Sequence, residues 1–232
     1  LGDGLLLVAH GSRDPRAAEV AHAVAAEAQA AVPGLTAVAA FLELAEPNPG
    51  AALDTLATQG VDRVRVLPFL LSHAYHSKVD LPKVEALVAG RGWEARTCGV
   101  LGPDDLLLDA LIHRLRAGAL AYDTVVLAAA GSTDPDANVT VEGIAQALSA
   151  RTGVRVLCGF ASAAKPTVGE AVAQARESGA QRVGVAMYLL APGFFADRVR
   201  TDALEAGAAG VAAPLGACPE IVELVLRRAG LR

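Results

Sequence analysis

One eleven-residue segment occurs twice in this chain. Residues 5–15 read LLLVAHGSRDP and residues 125–135 read VVLAAAGSTDP, so Gly131 follows Gly11 by 120 positions. An apolar run that stops at a Gly-Ser turn and continues into Asp-Pro describes a buried strand feeding a helix. Asp14 suits the helix N-cap, and Pro15 suits the first helical position because the N–H it lacks would have no intrahelical partner. Two copies of about 115 residues, each large enough for its own core, make a duplication rather than a solenoid. The first copy ends its strand on His10, and the second places Ala130 there.

The spacing of apolar residues predicts helices over 15–32, from Asn48-Pro49 to Gly60, from Asp80 onward and over 104–118, with strands over 35–44, 61–71 and 93–100 and a loop over 72–79. The second copy repeats this with strands over 123–129, 154–160 and 183–190 and helices over 139–150 and 166–178. Strands alternating with helices at this pace mean βαβ units and parallel sheets with helices on both faces. The expected division is a first domain over 1–119 and a second over 120–232, as two α/β domains facing each other about a pseudo-twofold axis with a cleft at their carboxyl edges.

At 53% hydrophobic and 19% charged, the 232 residues can bury a sizeable core. No run approaches the roughly 20 apolar residues of a membrane span, and the first eight residues lack the basic start of a signal peptide, so a cytoplasmic protein away from membranes is expected. A net charge of −5 offers no broad positive field for nucleic acid. Any anionic ligand must be met by local arginines. Cys98, Cys158 and Cys218 form no C-x-x-C pair and read as small buried side chains. His22, alone on its helix, reads as structural.

Three ionisable residues fall after consecutive predicted strands: His10, Glu43 and His76. If those strands are parallel neighbours, the three meet on one sheet edge. Two imidazoles and a carboxylate suit a divalent transition metal, and three protein ligands leave positions open for a substrate. In the second copy the matching positions are Ala130, Ser162 and Phe195, the last two at an offset of 119, so all three polar groups are lost together while the apolar strands persist. Leu215-Gly216 matches Leu101-Gly102 at an offset of 114. Joint loss marks the three as a functional set.

The residues Ala9-His10-Gly11-Ser12-Arg13-Asp14-Pro15, Phe41-Leu42-Glu43 with Pro47, and Leu67-Pro68-Phe69-Leu70-Leu71 followed by His76 and Asp80-Leu81-Pro82 resemble the class II chelatases of the sirohydrochlorin cobaltochelatase/ferrochelatase family, in the long form with two fused halves. The resemblance implies flavodoxin-like chelatase domains and insertion of Co²⁺ or Fe²⁺ into a tetrapyrrole. It carries the metal-binding roles onto His10 and His76 and the acidic role onto Glu43. No permanently bound cofactor is implied, since the metal is a substrate. Arg13, Arg16 and Lys78 are candidates for the substrate's carboxylates, as are Arg198 and Arg200 in the second half. His73 stands where the family often has a small residue. A chelatase for another tetrapyrrole and a non-catalytic metal-delivery protein are the alternatives, and a monomer suffices as an internal pseudo-dimer.

Overall fold

Each repeat builds a four-stranded, all-parallel sheet. A computed structural model describes residues 2–72 and 75–232, and for residues 75–79 the backbone alone. In the first repeat β1 (Gly2–Ala9), α1 (Pro15–Ala31), β2 (Leu35–Phe41), α2 (Pro49–Thr58), β3 (Val61–Pro68), α3 (Tyr75–Ala89) and β4 (Glu94–Thr97) follow in turn, then α4 (Asp105–Ala117). The second contains β5 (Thr124–Ala129), α5 (Pro135–Thr152), β6 (Arg155–Phe160), α6 (Val168–Glu177), β7 (Val183–Tyr188), α7 (Phe194–Glu205), β8 (Gly210–Val211) and α8 (Pro219–Arg228). The strand orders are β2-β1-β3-β4 and β6-β5-β7-β8. Ala9 pairs with Phe41 and Ala129 with Phe160, so the offsets of 120 and 119 reappear in the ladders.

β1 is central, and its Leu5–Leu6–Leu7–Val8 run is fully buried, as a strand covered on both faces must be. Leu6 and Val8 pack with Leu53 and Leu56 of α2 and with Val84 and Val88 of α3. Both Gly-Ser-x-Asp-Pro segments act as expected: Asp14 accepts the Arg16 N–H and Asp134 accepts the Asp136 N–H, with a proline opening each helix. α5 therefore starts at Pro135, earlier than the expected 139.

Two further expectations are corrected. α3 begins at Tyr75, so residues 75–79 are helical rather than loop, and Pro82 lies inside the helix instead of opening it. Asp80 pairs with Lys83 at 2.7 Å along the helix instead of capping it. The other correction concerns the last helix of each repeat. The compact units are residues 1–102 with 217–232, and residues 103–216. α8 thus packs in the first unit, against α1, while α4 packs in the second, against β7 and α5. The 119/120 boundary marks the repeat in sequence, not the division in packing. An amphipathic helix must cover its apolar face, and the pattern does not say which sheet supplies the cover. α8 buries Ile221, Leu224, Val225 and Leu226, and α4 buries Leu107, Leu111 and Leu115.

One arginine on each exchanged helix fastens the adjoining strand exit. Arg228 donates from Nη2 to the Leu101 carbonyl at 3.1 Å, and Arg114 donates from Nε and Nη2 to the Leu215 carbonyl at 2.8 and 2.6 Å. Leu224→Ala is expected to cost about 3 kcal/mol, because truncating a fully buried leucine leaves a cavity. Hydrogen exchange should then rise in α1 and β1 while α5 keeps its protection. Loss of protection in α5 alone would contradict this packing.

Candidate active site

The carboxyl end of β1 opens between the ends of β2 and β3, its two neighbours in the sheet. His10 is the first residue past that end. Gly11 then turns the chain at φ 104°, in the region that favours glycine. A Cβ there would overlap the Glu43 carbonyl oxygen, so glycine lets the turn after β1 lie directly against the turn after β2. The Leu42 and Glu43 N–H groups donate to the Ala9 and His10 carbonyls at 3.0 Å each, carrying the β1–β2 ladder past the end of β2.

These bonds set Glu43 beside His10, and the side chains meet with His10 Nδ1 3.3 Å from Glu43 Oε1. The imidazole remains 41% accessible and the carboxylate 54%, so both are reachable by a ligand. Nδ1 itself is turned away from solvent. The Glu43 carboxylate lies on the Nδ1 side of the ring, the side from which carboxylates commonly orient metal-binding histidines, which leaves Nε2 as the nitrogen to offer a cation. The second carboxylate oxygen can take part in binding as well.

The model of the CbiX family matches residues 4–117 and again residues 124–230. The chain belongs to the CbiX family. It is 30% identical over 203 residues to the sirohydrochlorin ferrochelatase of Bacillus subtilis (strain 168), covering 85% of this chain and 78% of that one. Among solved structures it is similar to SirB from Bacillus subtilis with Fe³⁺, at a TM-score of 0.84 and 27% identity over 99% of this chain and 95% of that one. It is also similar to the sirohydrochlorin chelatase SirB from Bacillus subtilis subspecies spizizenii in complex with cobalt, at 0.81 and 26%, covering 99% and 94%.

Both CbiX repeats keep the same backbone device, and only the first keeps the side chains. Gly131 has φ 85°, a Cβ on it would overlap the Ser162 carbonyl oxygen, and the Ala161 and Ser162 N–H groups donate to Ala129 and Ala130 at 2.9 Å. Ser162 turns its hydroxyl onto the Ala130 carbonyl at 3.0 Å, satisfying itself where Glu43 reaches outward. The value of Gly11 as a close-approach residue was missed in the sequence, although its recurrence as Gly131 signalled it.

The other candidates fall unevenly around this CbiX pair. The backbone of His76 lies in the first turn of α3, after β3, while its side chain, that of Lys78 and all of His73 lie outside the described residues. Among the described residues no three His, Cys, Asp or Glu side chains gather into a metal-holding group. Arg13 is exposed and makes no ion pair among the described residues. Arg16 is already engaged: it forks onto Asp14, Nε to Oδ1 at 3.0 Å and Nη2 to Oδ2 at 2.5 Å, and this guanidinium holds the Asp14 carboxyl below its usual range. It therefore braces the cap of its own helix.

The cysteines and His22 are structural. All three cysteines are free thiols; burial raises the Cys98 thiol and pushes that of Cys158 up to about 11, away from the thiolate form that binds metals. His22 sets its ring edge against Phe41 at 5.4 Å and 71°.

Proposed function

We propose that this CbiX-family chain inserts divalent cobalt or iron into sirohydrochlorin. The observation that carries the reading is the 3.3 Å contact of His10 with Glu43 at neighbouring strand ends. It occurs in a chain 30% identical to a sirohydrochlorin ferrochelatase. Insertion exchanges two pyrrolic protons for one dication, so the site needs ligands that hold the ion without saturating it and bases near the ring nitrogens. His10 and Glu43, joined by His76 from the start of α3, take the metal as substrate and leave positions open for those nitrogens. As the ring nitrogens take over the ion, the freed imidazoles accept the two protons, which then pass to water.

Arg13 and Lys78 meet the carboxylates of the macrocycle, with Arg16 reaching them only at the expense of the Asp14 cap. No permanently bound cofactor takes part. Among the described residues no helix is long and apolar enough to cross a membrane. A single chain at work in the cytoplasm, on a small-molecule substrate and without nucleic acid, is the form we propose.

The test is anaerobic mixing of sirohydrochlorin with Co²⁺ or Fe²⁺ and following the absorbance bands of the macrocycle. Catalysed insertion shifts them faster than the same mixture without protein. Equal rates would overturn the reading, and metal binding with no acceleration would leave a delivery protein.

Glu43→Gln is expected to slow insertion about tenfold under limiting metal, in the range found when a carboxylate partner of a metal-binding histidine is lost. Its melting temperature should stay near the wild-type value, since the side chain is more than half exposed. An unchanged rate would put Glu43 outside the site.

A further inference from the structure

The two Gly-Ser-x-Asp-Pro turns share a backbone and differ in one fastening. Gly11 and Gly131 both take positive φ, at 104° and 85°, and Asp14 and Asp134 cap their helices at the same φ of −81°, with ψ 116° and 114°. In each turn the serine hydroxyl accepts the N–H of the capping aspartate, at 3.1 Å for Ser12 and 3.0 Å for Ser132. On one side each turn is also held to the neighbouring strand exit, by the Glu43 N–H on the His10 carbonyl and by the Ser162 N–H on the Ala130 carbonyl.

Only the second turn is held on its other side as well. Asn138, near the start of α5, clamps the Ser132 peptide groups: the Ser132 N–H donates to Asn138 Oδ1 at 3.0 Å, and Asn138 Nδ2 donates to the Ser132 carbonyl at 2.8 Å. The matching residue of the first repeat, 120 positions earlier, is Ala18. A methyl group can take neither role, and among the described residues the Ser12 N–H and carbonyl make no hydrogen bond. The clamp thus stands in the repeat without the imidazole and is missing from the repeat whose turn carries His10. A segment with fewer backbone bonds opens at a lower cost in free energy, and parts that must move with a ligand are drawn from such segments.

We propose that residue 18 is a positioning residue of the reaction: because it is alanine, the turn carrying His10 is tied to the exit of β2 but not to α1, and shifts as the metal leaves. Transfer breaks the bond from the imidazole to the ion while the ring nitrogens form theirs and release two protons, one dication for two protons. The imidazole must follow the ion and then let it go. An asparagine at position 18 would pin the turn on both sides and hold the imidazole back. Residue 18 acts through His10 and is not itself a ligand. This rests on the chelatase reading above and adds to it which side of the site has to stay loose.

The test installs the missing clamp with Ala18→Asn, beside Ala18→Leu, which has the same shape without the polar atoms, and Asn138→Ala, which removes the clamp of the second repeat. The full-length proteins would be compared by amide hydrogen exchange, melting, Co²⁺ titration and steady-state Co²⁺ insertion into sirohydrochlorin. In Ala18→Asn the Ser12 amide should gain protection and the melting temperature should rise by about 3 °C. Its kcat should fall about tenfold, the cost of giving up one clamp bond during transfer, with KM for sirohydrochlorin and Co²⁺ affinity unchanged. Ala18→Leu should keep its kcat, and Asn138→Ala should melt lower and keep its kcat. A protected Ser12 amide with unchanged kcat overturns the proposal, and so does an unprotected one, because the two turns then do not share a fastening. Equal loss in Ala18→Leu assigns the effect to bulk, and a raised KM with unchanged kcat makes Ser12 a substrate contact; either overturns it. If the wild type inserts metal and Ala18→Asn keeps pace, this inference alone fails; if the wild type does not accelerate insertion, the chelatase reading falls with it.

Discussion

His10→Ala should lower the rate of metal insertion into sirohydrochlorin by about 100-fold or more, and His76→Ala should do the same. Removing even an outer partner of a metal ligand costs roughly 10- to 100-fold, and a ligand itself should cost at least the upper end of that range. The double variant should lose little beyond either single one, because residues that act as a unit are not additive. Folding should survive in His10→Ala, whose side chain is 41% accessible and contributes little to the core. His73→Ala is the internal control, three residues from His76, and should retain most of the activity. The measurement is steady-state insertion at saturating and limiting metal for all five proteins. Near-wild-type turnover in either single histidine variant removes that residue from the mechanism, and loss confined to His73→Ala transfers the role to that histidine.

Gly11→Ala and Gly131→Ala should both destabilise, by about 3 kcal/mol or more each, since each forces a side chain into a positive-φ turn and onto a neighbouring carbonyl oxygen. Their effects on catalysis should diverge. At Gly11 the new methyl displaces the turn that carries Glu43, so the His10–Glu43 contact opens and insertion falls even at temperatures where the protein is folded. At Gly131 the displaced residue is Ser162, which has no metal to hold, and turnover per folded molecule should stay near the wild-type value. Thermal denaturation paired with insertion assays well below the melting temperatures separates the two effects. Equal loss of turnover in both variants would mean that stability alone is being read.

Much of this architecture is local and therefore legible in the sequence. A strand end is set where an apolar run meets Gly-Ser, and a helix start where Asp precedes Pro, so β1, β5 and the beginning of α1 follow from short segments. The duplication served as an internal comparison. Because the offsets of 120 and 119 hold in the paired strands, the replacement of His10, Glu43 and His76 by Ala130, Ser162 and Phe195 could be read before any coordinates. The start of α3 was misread because Asp80-Leu81-Pro82 has the composition of a helix opening, yet sits inside a helix that begins at Tyr75.

What the sequence by itself determined is the order of strands and helices, the two repeats, and which strand ends carry imidazole and carboxylate. Tertiary structure alone decided three further matters. It brought Glu43 to 3.3 Å from His10 through backbone bonds between two turns 33 residues apart. It committed Arg16 to Asp14, an outcome of rotamer geometry rather than of charge. It also sent α4 into the second unit and α8 into the first. Hydrophobic periodicity specifies that a helix has a face to bury, but burial is non-directional and counts only the apolar area removed from water, so the choice of covering sheet is made by the packing of the whole chain.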